Sequence, residues 1–134
     1  MDSILSKGIW QRVTEATVEG FRNISPTAPA TMWAVLMEVS KVSEITQQQI
    51  ERNLALTRAT ASNYVMALCG LQGKGVRALD VPSPLVEEVT HASGPGSAKI
   101  VRLTQAGRAT LERIYRDAAH AASVYQGIQD RKVG

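Results

Sequence analysis

The stretch from Thr46 to Asn63 constrains this chain more than any other. Thr46 is a hydroxyl residue suited to capping a helix. Gln49, three residues on, completes the pattern in which the cap and the third helical residue satisfy each other's backbone amides. The helix started there should reach about Asn53. Leu54-Ala55-Leu56 then turns the chain, and Thr57 caps a second helix by the same logic. Two caps this close together predict two short helices with a tight turn between them. On the second helix, Ala61, Tyr64, Val65 and Leu68 fall on the side that should face a core. Arg58, Ala59, Ser62, Asn63 and Met66 fall on the other.

The remaining chain reads as a frame for that pair. Asp2 or Ser3 caps a helix to about Asn23, with Ile4, Leu5, Ile9, Val13, Val18 and Phe21 at helical spacing. Pro26 and Pro29 break it, because proline lacks the amide proton and clashes with the preceding turn. A second helix over roughly Ala30 to Val42 is apolar on nearly every side, as expected of a central buried helix. Ile45 adds a short strand. Gly70, Gly73 and Gly75 end the helix begun at Thr57. Val76 to Val81 alternates as a strand stopped by Pro82 and Pro84, and Ile100 to Leu103 forms another. Ser93 to Ser97 is a flexible tip between them. Thr104 caps a last helix to about Gly127, and Gln129 to Gly134 is expected to fray.

Composition removes several classes. At 134 residues and 44% hydrophobic, the chain suits one folded domain rather than a disordered tail. A net charge of +3 tilts it mildly toward an anionic partner. One cysteine, Cys69, precludes an intrachain disulfide and a cysteine-based zinc site, and a reduced cytoplasm is its simplest home. Near the end of an apolar helix and without a resolving cysteine, Cys69 reads as a packed, inert thiol. No apolar run approaches the ~20 residues of a membrane span, and no signal peptide stands at the start. His91 and His120 lack a metal-ligand cluster, and Trp10, Trp33, Tyr115 and Tyr125 read as core. No catalytic constellation or phosphate loop is visible, so no enzymatic activity and no cofactor are expected.

Two stretches together carry a resemblance. One is the helix, turn and helix from Thr46 to Leu68. The other is Ile100 to Glu112, with its strand-to-helix junction Leu103-Thr104-Gln105-Ala106-Gly107-Arg108. The chain resembles the MarR family of winged-helix transcription regulators over nearly its whole length. The resemblance implies a mainly α fold: a winged helix-turn-helix with a two-stranded β-wing at 30–104, dimerisation helices at 1–29 and 105–129, and a tail at 130–134. It implies a homodimer whose two recognition helices address a near-palindromic site on double-stranded DNA, usually as a repressor in the bacterial nucleoid and sometimes released by a small effector. Ala55 stands where the family commonly has its turn glycine, so that turn must form without the residue that best tolerates positive φ.

The helix starting at Thr57 is then the reading element. Arg58 is suited to guanine or phosphate, and Asn63 to adenine or the sugar–phosphate backbone. Thr57, Thr60 and Ser62 can donate to phosphates beside the positive end of the helix, with Ala59 on the same face. Gln47 is placed to touch phosphate from the preceding helix. Lys74, Arg77, Lys99 and Arg102 flank the ribbon and can line the DNA backbone, whereas Glu87 and Glu88 repel it. Two other readings keep the fold. One is a plasmid or phage partition or replication accessory on repeated sites. The other is a protein–protein adaptor, favoured by the acidic pair and bare wing tip.

Overall fold

Helix α2 (Ala30–Ser40) forms because its apolar residues leave almost no polar face. Met32, Val35, Leu36 and Val39 are all buried. Such a helix is stable only when surrounded, each aliphatic side chain being worth roughly 1.5–3 kcal/mol when removed from water. The computed structural model describes residues 3–90 and 99–133, and there α2 is surrounded as required. Helices α3 (Gln47–Leu54) and α4 (Arg58–Leu68) pack on it, contributing Ile50, Ala61, Val65 and Leu68 to the core. Strands β1 (Ile45–Thr46), β2 (Val86–Thr90) and β3 (Lys99–Leu103) form an antiparallel sheet in the order β1-β3-β2. Ile45 pairs with Val101, and Val86 with Leu103, so the buried residues of the three strands share one face.

This winged-helix unit covers Thr27–Ala109. A second unit contains Met1–Pro26 and Thr110–Gly134. Helix α1 (Ser3–Ile24) and the greater part of α5 (Gln105–Val133) form the second unit. Gly20 lies against the buried Ile114, and Gly8 against Tyr125, so the two helices run antiparallel. Trp10, Val18, Tyr115, Val124 and Ile128 of this unit are exposed. Trp10 and Tyr115 are therefore surface residues, contrary to the core expected for them. Trp33 and Tyr125 are half-buried.

The expected strand over Val76–Val81 does not exist. β3 already has a neighbour on each edge, β1 and β2, so no ladder position remains for that segment. It forms an ordered loop instead. Gln72 closes the loop with its own side chain, donating from Nε2 to the carbonyls of Gly73 (3.1 Å) and Val76 (3.0 Å) and accepting from the Ala78 amide at Oε1 (3.0 Å). The amides of Leu79 and Leu85 then bond to the Ala67 and Leu68 carbonyls, both at 3.1 Å, satisfying acceptors at the end of α4. The alternation seen in sequence reflects the single buried Leu79 between exposed neighbours. Pro82 and Pro84 precede the wing strand rather than ending one. The expected frayed tail is also corrected, since α5 remains helical to Val133. No helix among the described residues is long and apolar enough to cross a membrane.

Candidate nucleic-acid interface

Both caps form as their sequences dictate. Thr46 Oγ1 accepts from the Gln49 amide (3.2 Å), and Gln49 Oε1 accepts from the Thr46 amide (2.9 Å). α3 ends at Ala55, whose φ of 54° and ψ of 45° are left-handed. The turn expected at this residue is made by alanine, at an intrinsic cost of about 1 kcal/mol. The Leu56 amide bonds to the Glu51 carbonyl at 2.9 Å, and Thr57 opens α4 in extended geometry. Thr57 Oγ1 accepts from the Thr60 amide (3.2 Å) and donates to Thr60 Oγ1 (2.8 Å).

The consequence is an α4 whose first turn stands clear. Thr57, Arg58 and Ala59 are exposed, while Ala61, Val65 and Leu68 anchor the opposite side. Arg58 makes no ion pair among the described residues, so its guanidinium is available to an incoming anion. Thr60, Ser62 and Asn63 are half-buried on the flank. Gln47 is engaged within the motif. Its Nε2 lies 3.4 Å from the Arg58 carbonyl and 3.4 Å from Glu51 Oε2, bridging the start of α3 to the first turn of α4.

Lys74 is brought close to α4 by a route the sequence did not reveal. Gly73 lies so close to α4 that a Cβ there would stand 3.1 Å from Asn63 Oδ1 and 3.4 Å from Asn63 Cα. The loop clamped by Gln72 therefore runs along α4, and the exposed Lys74 follows directly beside Asn63. Arg77 is exposed on the same loop. The only sequence signal for this arrangement is a glutamine among closely spaced glycines.

The wing cations have a different setting. Arg102 and Glu87 are cross-strand partners, and Arg102 Nε donates to Glu87 Oε1 at 2.7 Å. Lys99 Nζ is 4.0 Å from Glu88 Oε2. Glu87 sits opposite Arg102 in the ladder, and Glu88 sits opposite Val101, two residues from Lys99, so the described part of the wing carries paired charge rather than a basic stripe. The tip, Ser93 to Ser97, lies outside the described residues, as does His91. Cys69 is half-buried. Burial foremost, then the Glu88 carboxylate, pushes its thiol up to about 11, so the reactive thiolate is scarce at neutral pH. No group of three or more potential metal ligands occurs among the described residues.

No family model and no curated protein matches the chain. Solved structures do match. The RV1404 protein of Mycobacterium tuberculosis superimposes with a TM-score of 0.65 at 10% identity, over 96% of this chain and 80% of that one. YusO of Bacillus subtilis gives 0.61 at 11% identity, over 95% and 84%. A mutant MarR of E. coli, complexed with operator DNA, gives 0.55 at 15% identity, over 90% and 72%. At these identities the likeness speaks for the fold, and the chain has the winged-helix fold of MarR.

Proposed function

We propose that this chain is a homodimeric, sequence-specific DNA-binding transcription regulator, acting as a repressor, with α4 entering the major groove. The observation that carries this reading is the exposed first turn of α4. An unpaired guanidinium, two hydroxyls and the positive helix end project together from a motif braced by two caps and the Gln47 bridge. Arg58 reads a base or fixes register. Thr57 and Thr60 contact phosphate. Lys74 and Arg77 follow the backbone beside them, and Asn63 positions their loop. Lys99 and Arg102 contribute less, because each already faces a carboxylate. The E. coli protein solved with operator DNA has the same fold, which agrees with this use of the helix. The exposed apolar residues of α1 and α5 supply the surface for pairing with a second copy.

The test is a fluorescence-anisotropy titration against the DNA upstream of the protein's own gene, at several salt concentrations. Affinity should fall steeply with salt as counterions are released. Arg58→Ala should weaken binding by ~1–3 kcal/mol if the contact to a base is bidentate. Unchanged affinity in that variant would remove Arg58 from the reading role. The self-paired wing favours one alternative, a protein-binding adaptor. That reading requires no salt-sensitive DNA binding at all.

A further inference from the structure

A cavity of about 440 Å³ opens beside the end of α4, within the winged-helix unit. That volume falls in the roughly 300–1,000 Å³ range of small-molecule sites. Met66, Leu71, Pro84 and Val86 provide apolar walls, and Cys69 lies among them. Thr104, Glu87 and Glu88 complete the lining. In β2, side chains alternate between the two faces of the sheet. Glu88 therefore shares a face with Val86, and its ladder partner is Val101, both fully buried. Glu87, one residue earlier, also borders the cavity, but its carboxylate is taken by its ladder partner Arg102 at 2.7 Å. Glu88 has no such close partner; it is a surface residue at the mouth of the cavity, with its side chain 29% exposed. Its nearest cation among the described residues is the mostly exposed Lys99, at 4.0 Å, too long for a good hydrogen bond. A carboxylate at the mouth of an apolar cavity, with no cation in hydrogen-bonding contact among the described residues, favours a matching charge.

We propose that this cavity is a binding site for a small hydrophobic cation, an aryl- or alkyl-substituted ammonium. The apolar body rests on Met66, Leu71, Pro84 and Val86, and the ammonium donates to the Glu88 carboxylate. Neutral analogues lose the attraction between opposite charges, and carboxylates are repelled. The site stands whether or not the protein binds DNA, because no residue of the exposed first turn of α4 takes part.

The test uses three isosteric probes on the full chain: 1-naphthylmethylammonium, 1-naphthalenemethanol and 1-naphthoate. Affinities are read by calorimetry, and the location by the Met66 methyl resonance. The expected result is an ammonium preference over the alcohol on the order of tenfold, with no measurable naphthoate binding. Glu88→Gln should erase that preference, and Glu87→Gln, at a carboxylate already held by Arg102, should leave it intact. Both glutamates lie at the surface, and thermal melts of the variants confirm that the fold is retained. Three outcomes would overturn the proposal: equal affinity for ammonium and alcohol, a preference that survives Glu88→Gln, or no shift at Met66 with any probe. In those cases Glu88 serves only to keep the edge strand β2 from pairing with another sheet.

Discussion

Two glycines on α5 should respond in opposite directions to the same substitution. In an open helix, alanine is favoured over glycine by ~1 kcal/mol. Gly127 meets nothing within 4 Å of a constructed Cβ, so Gly127→Ala should gain stability up to that amount. At Gly107 a Cβ would lie 2.0 Å from the Leu85 carbonyl oxygen, against the 3.0 Å that real contacts respect. Helix and loop must separate by at least an ångström. That oxygen accepts from the Thr104 amide (3.1 Å), and Thr104 Oγ1 donates to the neighbouring Pro84 carbonyl (2.6 Å). Losing both bonds costs about 1–3 kcal/mol, and overpacking adds about 1–3 more. After the propensity gain, Gly107→Ala should lower stability by roughly 1–5 kcal/mol. Urea melts followed by circular dichroism measure both variants against the parent. A Gly107→Ala protein as stable as Gly127→Ala would refute the close approach, and with it the reason for glycine in the strand-to-helix junction.

The turn and the core supply further tests. Ala55→Gly relieves a left-handed alanine and should raise stability by about 1 kcal/mol in the same melts, whereas a loss would contradict the φ of 54°. Glu38 is buried and held below its ordinary value of 4.5 by hydrogen bonds from Lys41 and then Asn53. A depressed folded pKa means that its stabilising contribution is complete above 4.5 and disappears as pH falls through the lowered value. Glu38→Gln should therefore flatten the acid limb of a stability–pH curve below about pH 4.5, and an unchanged limb would exclude Glu38 as its cause.

What the sequence revealed follows from the range of the forces involved. The caps at Thr46 and Thr57 depend on atoms three residues apart, so local chemistry specified them, and the turn at Ala55 was bounded from both sides. α2 was legible because an all-round apolar helix has only one environment. The strand pairing was not local. Val76–Val81 alternates and Val86–Thr90, with Glu87 and Glu88 side by side, does not, so the pattern pointed to the wrong segment; the docking of Leu79 and Leu85 on the end of α4 brings the second one to β3. The same register places Glu87 and Glu88 on opposite faces of the sheet, which spacing alone cannot do without knowing where the strand begins. Gly8, Gly20, Gly73 and Gly107 matter through close approaches by distant chain, and no pattern along the chain shows these. Among the residues proposed to read DNA, Arg58 was evident from its position after a cap. The bridge made by Gln47 and the route that brings Lys74 beside Asn63 required coordinates.

The claim that most depends on measurement is that two copies of α4 read DNA together. Genome-wide footprinting of the protein on its host DNA, at base resolution, tests it most directly. The account predicts protected sites built as inverted repeats, with half-sites about 10 base pairs apart centre to centre, one turn of the duplex. Clustered direct repeats, or no protection that salt can abolish, would contradict it.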